Sequence, residues 1–237
     1  YTFSAKSDSA SLTARDIRLA PSGVRFCALE EGELVRVKTN LPGQFSVYNA
    51  LAAISCARLL GVSLADAAAA LETAHGAKGR VEPVPTDGDY SIFIDYAVTP
   101  DAIENVLTTL RGIAPKRLVM LFGAGGDRDR KKRPIMGKLS ADIADFVIVT
   151  SDNPRTEDPM SIIEEILPGV RAGKAPYKVI CDRPEAIRWA IDHHEPGDVI
   201  LLCGKGHEDY QIIGHEKIHM DEREIVADYL AERAKRT

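Results

Sequence analysis

The chain has 237 residues, 45% of them hydrophobic and 27% charged, with a formal net charge of −5. That length buries one large core or two modest ones, and the composition is that of an ordinary soluble globular protein. A negative net charge argues against a nucleic-acid-binding surface over the whole molecule, and no apolar run approaches the roughly 20 residues of a membrane span.

The amino end, Tyr1-Thr2-Phe3-Ser4-Ala5-Lys6, leads into polar sequence and not into the apolar stretch of a signal peptide. Residue 1 is not methionine, as in a processed or excised piece. The four cysteines form no Cys-x-x-Cys pair. Cys56, Cys181 and Cys203 lie in or beside apolar runs and read as core thiols, which fits a reducing, cytoplasmic compartment.

Residues 1 to about 40 lack helical periodicity. Leu34-Val35-Arg36-Val37-Lys38 alternates as a half-buried strand should, among the turn formers Pro21-Ser22-Gly23, Glu31-Gly32 and Pro42-Gly43. This part is expected to form short antiparallel strands and loops. Helices follow at about Phe45–Leu60, ending before Gly61, and at Leu64–Glu72, with Ser63 as N-cap. A domain boundary is expected between Ala77 and Pro85, where Gly76, Gly79, Pro83 and Pro85 cluster.

From Tyr90 the chain alternates strand and helix. Strands are expected at Tyr90–Asp95, Arg117–Phe122, Phe146–Thr150, Tyr177–Ile180 and Val199–Leu202, with helices at Thr99–Leu110, Pro134–Ile143, Met160–Leu167 and Pro184–Asp192. The fold class is therefore α/β, a mostly parallel sheet covered by helices. Gln211–Ile213 and Lys217–His219 read as a hairpin, and an amphipathic helix from about Asp221 to Ala234 closes the chain.

Four of these strands release the chain into unusual polar sequence. The loops are Asp95-Tyr96-Ala97-Val98-Thr99-Pro100, Gly123 to Arg133, Thr150-Ser151-Asp152-Asn153-Pro154-Arg155, and Gly204-Lys205-Gly206-His207-Glu208. In a parallel sheet they share one edge, the edge where ligands bind. Arg128, Arg155 and Glu208 converging there would grip both carboxylate and ammonium groups, as an amino acid requires. Each loop has a plainer reading. Arg155 could pair with Glu157 or Asp158 on a surface turn, and the basic run Arg128–Arg133 could be a solvated face. His207 and Glu208 read as orienting groups more readily than as an acid–base pair. His215 and His219 lack a third ligand, so no metal site is expected. No segment fits Gly-x-x-x-x-Gly-Lys-Ser/Thr.

These motifs, with Pro42-Gly43-Gln44-Phe45-Ser46-Val47-Tyr48-Asn49-Ala50, Gly79-Arg80-Val81-Glu82 and Lys132-Arg133-Pro134, occur in the order and spacing of one family. The chain resembles the carboxyl-terminal half of a Mur ligase, over essentially its whole length. The pairing of Asp-Asn-Pro-Arg with Gly-Lys-Gly-His-Glu is similar to the branch that adds meso-diaminopimelate to UDP-N-acetylmuramoyl-L-alanyl-D-glutamate.

The resemblance implies that residues 1–80 end a central ATPase domain and that 81–237 form a Rossmann-like amino-acid-binding domain. It places Asn49 near adenine, Arg80 near the ATP phosphates and Asp95 near the ribose. Arg128, Asp152, Asn153, Pro154, Arg155, Gly204 and Glu208 would form the diaminopimelate pocket, the arginines clamping the distal carboxylate and Glu208 the distal ammonium. The implied reaction runs through an acyl phosphate on the D-glutamate carboxylate, with ATP and Mg2+, whose ligands are expected outside this chain. The partners implied are small-molecule substrates, with no nucleic acid and no membrane span, and a monomer is expected.

The chain departs from the family in having Val98 where histidine is usual and Ser46 where asparagine is usual. It also lacks the P-loop, the UDP-sugar domain and the carbamylated lysine, so it is not expected to catalyse ligation alone. A non-catalytic amino-acid- or nucleotide-binding module is the alternative. A folylpolyglutamate- or cyanophycin-synthetase-like ligase is a third reading, against which the Asp-Asn-Pro-Arg turn argues.

Overall fold

The computed structural model describes residues 1–235. The chain divides into two compact units, residues 1–76 and the remainder from Ala77.

In the first unit, β1 (Phe3–Ser4), β2 (Leu12–Ala20), β3 (Gly23–Glu30) and β4 (Glu33–Thr39) form a sheet in that order. β2, β3 and β4 run antiparallel as expected, whereas β1 joins β2 in parallel. Alternation sets the two faces: Val24, Phe26, Ala28 and Val37 are buried while Arg25, Arg36 and Lys38 are exposed. Two helices are in contact with this sheet, α1 (Gln44–Leu59) and α2 (Leu64–Glu72). α1 presents Val47, Ala50, Leu51 and Ile54 at helical spacing, and α2 presents Leu64, Ala67 and Ala68. Ser63 caps α2, its Oγ accepting from the Asp66 N–H at 3.0 Å. α1 ends in a Schellman motif. Val62 N–H reaches Ala57 O and Gly61 N–H reaches Arg58 O, both at 3.0 Å, which needs the φ of 86° that Gly61 supplies. Ser46 is buried with its hydroxyl donated to Pro42 O at 2.7 Å, so that position is satisfied within its own turn. Cys56 is exposed, contrary to the core role its apolar neighbours suggest, because it falls on the outer side of α1.

The second unit is a six-stranded sheet in the order β5-β6-β10-β7-β8-β9. Its strands are β5 (Glu82–Val84), β6 (Ser91–Asp95), β7 (Leu118–Phe122), β8 (Phe146–Val149), β9 (Tyr177–Val179) and β10 (Val199–Cys203). All pairings are parallel except the short edge strand β5, which sequence reasoning passed over. Around the sheet run α3 (Pro100–Arg111), α4 (Lys132–Ile143), α5 (Pro159–Ala172), α6 (Arg183–Asp192) and α7 (Glu222–Ala234). α5 continues past its expected end at Leu167 through Pro168.

Right-handed crossovers dictate the layering. The path β6–β7–β8–β9 runs one way across the sheet, so its crossover helices α3, α4 and α5 share a face and pack together. The return from β9 to β10 reverses direction and sends α6 to the other face, where it packs with α7. There Ala186, Ile187, Ala190, Ile191 and Val226 form one core with Ile92, Ile94, Leu121, Ile200 and Leu202. α7 buries little else, only Glu222 and Val226.

The reversal also creates the switch point at which open α/β sheets bind ligands. Asp95, Cys203, Phe122 and Val149, the last residues of β6, β10, β7 and β8, stand in register. Four loops therefore leave the sheet at one level. Beyond them, β11 (Tyr210–Ile213) and β12 (Glu216–His219) form the expected hairpin.

Candidate amino-acid-binding cleft

The Asp-Asn-Pro-Arg turn is held by its neighbours on both sides. Gly126 N–H donates to Asn153 O at 2.9 Å, and Arg155 Nη1 donates to Gly126 O at 2.8 Å. A Cβ on Gly126 would lie 1.8 Å from Pro154 O, so only glycine lets these backbones meet. Asp127 completes the seam, its carboxylate accepting from Thr156 Oγ1 at 2.8 Å. On the other side Arg155 bridges the hairpin: its N–H reaches Ile212 O at 3.0 Å, and its carbonyl accepts from Gly214 N–H at 2.7 Å. Gln211 Nε2 donates to Asp152 O at 2.6 Å. Arg155 itself sits at φ 53°, an unfavourable region for a non-glycine residue that these bonds hold in place.

Arg155 does not pair with Glu157 or Asp158. Glu157 belongs to Arg133, which donates to both its oxygens at 2.8 and 2.9 Å, and Asp158 caps α5 through the Ser161 N–H at 2.7 Å. The basic run is thus not a uniformly solvated face. Arg128 is exposed, but Arg133 is fully buried and also reaches Glu165 at 2.7 Å. Arg133 holds the carboxyl of Glu157 down to about 2. Hydrogen bonding to a buried guanidinium is the first cause, and it leaves Arg155 free to face the cleft.

A cleft of about 130 Å³ opens between the four loops. Three cations, Arg128, Lys132 and Arg155, and two carboxylates, Asp152 and Glu208, line it together with Asn153 and Gly204. The convergence of Arg128, Arg155 and Glu208 expected from the sequence is therefore present. Pro154 is buried beside it as the rigid element of the turn.

Asp152 is 7% exposed, with Oδ1 accepting from the Asn153 N–H at 2.6 Å. Its Oδ2 has no hydrogen-bond partner among the described residues, an unsatisfied acceptor at a cleft rich in cations. Glu208 Oε2 accepts from Asn153 Nδ2 and from Lys205 Nζ, each at 2.9 Å. Burial pushes the Glu208 carboxyl up, but Lys205 and Asn153 outweigh it, so the group stays below the usual carboxylate range and ionised at neutral pH. Below the floor, the buried guanidinium of Arg183 ties the ends of two strands together. It donates to Cys203 O at 2.9 Å, to Ser151 O at 3.3 Å and to Glu222 at 2.8 Å.

Sequence reasoning places Lys205, Lys132 and Tyr96 within motifs but gives none of them a role of its own. A lysine between two glycines was the one available signal for Lys205. Lys132 Nζ donates to Val98 O at 2.9 Å, so the cleft meets the residue 98 position through its backbone.

The three residues expected near nucleotide are arranged differently. Asn49 is exposed on α1 of the first unit. Arg80 is exposed in the second unit, with its guanidinium 5.5 Å from the centre of the Tyr96 ring. Asp95 is buried, and its two oxygens accept from the Val81 and Ala97 N–H groups at 2.9 and 2.8 Å. Burial pushes its carboxyl up against the opposing pull of those donors. Its place is that of a staple joining residues 80–81 to the end of β6.

The glutamate ligase domain of the Mur ligases matches residues 79–206, and the Mur ligase middle domain matches residues 1–57. The chain belongs to the Mur ligase family. It is 49% identical over 228 residues to the UDP-N-acetylmuramoyl-L-alanyl-D-glutamate–2,6-diaminopimelate ligase of Caldanaerobacter subterraneus subsp. tengcongensis, covering 96% of this chain and 47% of that protein. The enzyme of the same description from Trichormus variabilis is 46% identical over 238 residues, covering 99% and 48%. A solved structure of a ligase of this description superposes with a TM-score of 0.81 at 35% identity, over 98% of this chain and 48% of that one. The chain spans about half the length of the curated relatives it matches.

Proposed function

We propose that the intact protein is an ATP-dependent amide ligase of peptidoglycan precursor synthesis, adding meso-diaminopimelate to UDP-N-acetylmuramoyl-L-alanyl-D-glutamate. Residues 1–80 are then the end of the central ATP-binding domain and 81–237 the amino-acid-binding domain, in a cytoplasmic monomer. The observation that carries the reading is the cleft where Arg128 and Arg155 face Asp152 and Glu208.

In this reading ATP phosphorylates the side-chain carboxylate of D-glutamate and ADP departs. The amine of diaminopimelate attacks the acyl phosphate, phosphate leaves, and the amine's proton passes to solvent. The cleft contributes position. Arg128 and Arg155 hold the distal carboxylate through charge-assisted hydrogen bonds. The ionised Glu208 and the unsatisfied Oδ2 of Asp152 accept the distal ammonium, leaving the other amine free as nucleophile. Asn153, Pro154 and Gly204 shape the wall.

Arg80 and Asp95 support a nucleotide reading less directly, since the Asp95 carboxylate is already engaged by two N–H groups. In this reading magnesium is held by residues outside this chain, as the family resemblance implies.

Lysine lacks the distal carboxylate and would leave the guanidinium groups unpaired, a penalty of several kcal/mol, roughly hundredfold or more in discrimination. The test is acceptor competition in the intact enzyme. Diaminopimelate is expected to be incorporated at least about a hundredfold more efficiently than lysine, and equal incorporation would defeat the reading.

A further inference from the structure

Lys205 is fully buried, yet it does not line the cleft. Its Nζ lies 2.8 Å from Asn153 Oδ1 and 2.9 Å from Glu208 Oε2. Asn153 is itself locked, its Oδ1 also accepting from the Ile212 N–H at 2.9 Å while its Nδ2 donates to the same Glu208 oxygen. The Tyr210 ring centre stands 5.3 Å from the ammonium. Burying an ammonium is costly and tolerated only where its partners are well placed. None of the binding or transfer steps described above uses this one.

We propose that Lys205 is a positioning residue for the acceptor amino acid, anchoring Glu208 so that its carboxylate faces the cleft instead of collapsing onto Arg128 and Arg155. The inference rests on the reading of the cleft as an amino-acid site. An ionised glutamate beside two guanidinium groups would otherwise pair with them whenever the cleft is empty, quenching both halves of the site at once. Two donors converging on Oε2 fix one rotamer and remove that competitor. Lys205 then acts on binding before the substrate arrives, which is preorganisation and not direct contact.

Lys205 on its own loop, Asn153 beyond β8 and Tyr210 on β11 interact with Glu208. The other charged or titratable groups sharing the cleft with it are Asp152 and Arg155 beyond β8, Arg128 and Lys132 beyond β7, and Tyr96 beyond β6. Without Lys205, burial dominates and the Glu208 carboxyl rises. Ammonium recognition is then lost at a higher pH as the solution is acidified.

The test compares Lys205→Met, Glu208→Gln and the double variant in the intact enzyme, measuring KM for the acceptor and for ATP across pH. Lys205→Met is expected to raise the acceptor KM about tenfold or more, to leave the KM for ATP within about twofold, and to move the acid limb of the acceptor profile upward. The double variant should be no worse than Glu208→Gln alone, because the anchor has nothing left to hold. It carries the test if Lys205→Met does not fold, since it leaves no buried charge unpaired. An unshifted acid limb, or a double variant worse than Glu208→Gln by about tenfold, would overturn the proposal. A wild-type enzyme that takes lysine as readily as diaminopimelate would undo the reading of the cleft instead, and the Lys205 comparison, run with whichever acceptor is used, still decides the anchor.

Discussion

Replacing Arg155 by alanine in the intact enzyme separates what this side chain does for the loop from what it does for the ligand. For the loops it supplies a good hydrogen bond, Nη1 to Gly126 O at 2.8 Å, and a long one to Asn153 O at 3.5 Å, together worth about 1 kcal/mol. The left-handed backbone at φ 53° is as unfavourable for alanine as for arginine. The main-chain bonds to Ile212 and Gly214, at 3.0 and 2.7 Å, do not depend on the side chain. The structural loss should therefore lower the melting temperature by only about 2–4 °C. For the ligand, the lost interaction is a charge-assisted pair to a carboxylate, about 1.5–3 kcal/mol, or roughly 10- to 100-fold in KM. Initial rates with diaminopimelate and ATP varied in turn read this directly. The acceptor KM should rise by that factor while the KM for ATP stays within about twofold. Equal increases in both would mean that Arg155 supports the fold and not the amino acid.

Other expected outcomes test the scaffold. Gly126→Ala places a Cβ 1.8 Å from Pro154 O, so the two loops must part. A loss of about 1–3 kcal/mol in urea unfolding, with a raised acceptor KM, is expected, and wild-type values for both would contradict the seam. Arg133→Met leaves Glu157 and Glu165 with only the exposed Arg130 as cationic partner and should cost about 1–3 kcal/mol, whereas an unchanged denaturation midpoint would show the network to be dispensable. The folded-state carboxyl of Glu157 is depressed from 4.5 to about 2. Its stabilising contribution is thus complete above pH 4.5 and is lost as pH falls toward 2. Glu157→Gln should flatten the melting temperature over that window, and an unaltered profile would refute the pairing. The 237-residue chain alone should release no ADP from ATP above background, since it holds no Gly-x-x-x-x-Gly-Lys-Ser/Thr segment.

Much of this was legible beforehand because the signals were local. The apolar runs Phe146–Val149 and Val199–Leu202, the cap Ser63 and the turn at Pro154 each act within a few residues. Alternating strands and helices then required the loops after four strands to share an edge. β5 was missed because three residues carrying a proline have too little pattern to register, and β6 alone recruits them. The end of α5 was misplaced because Pro168 usually stops a helix.

The roles of like-charged neighbours were not legible at all. Arg128 and Arg133 stand five positions apart in one basic run, yet one is exposed and the other wholly buried. Lys205 and Lys132 likewise differ only in what surrounds them. Sequence by itself determined the order of the elements, the edge at which polar loops gather and the kinds of charge placed there, because periodicity, capping and turn chemistry are properties of neighbouring residues. Only the tertiary structure decided which charges are spent on one another and which face the cleft. Ion pairing and burial depend on partners 24 to 55 positions away, such as Arg133 with Glu157 or Asn153 with Glu208, and packing alone sets those distances.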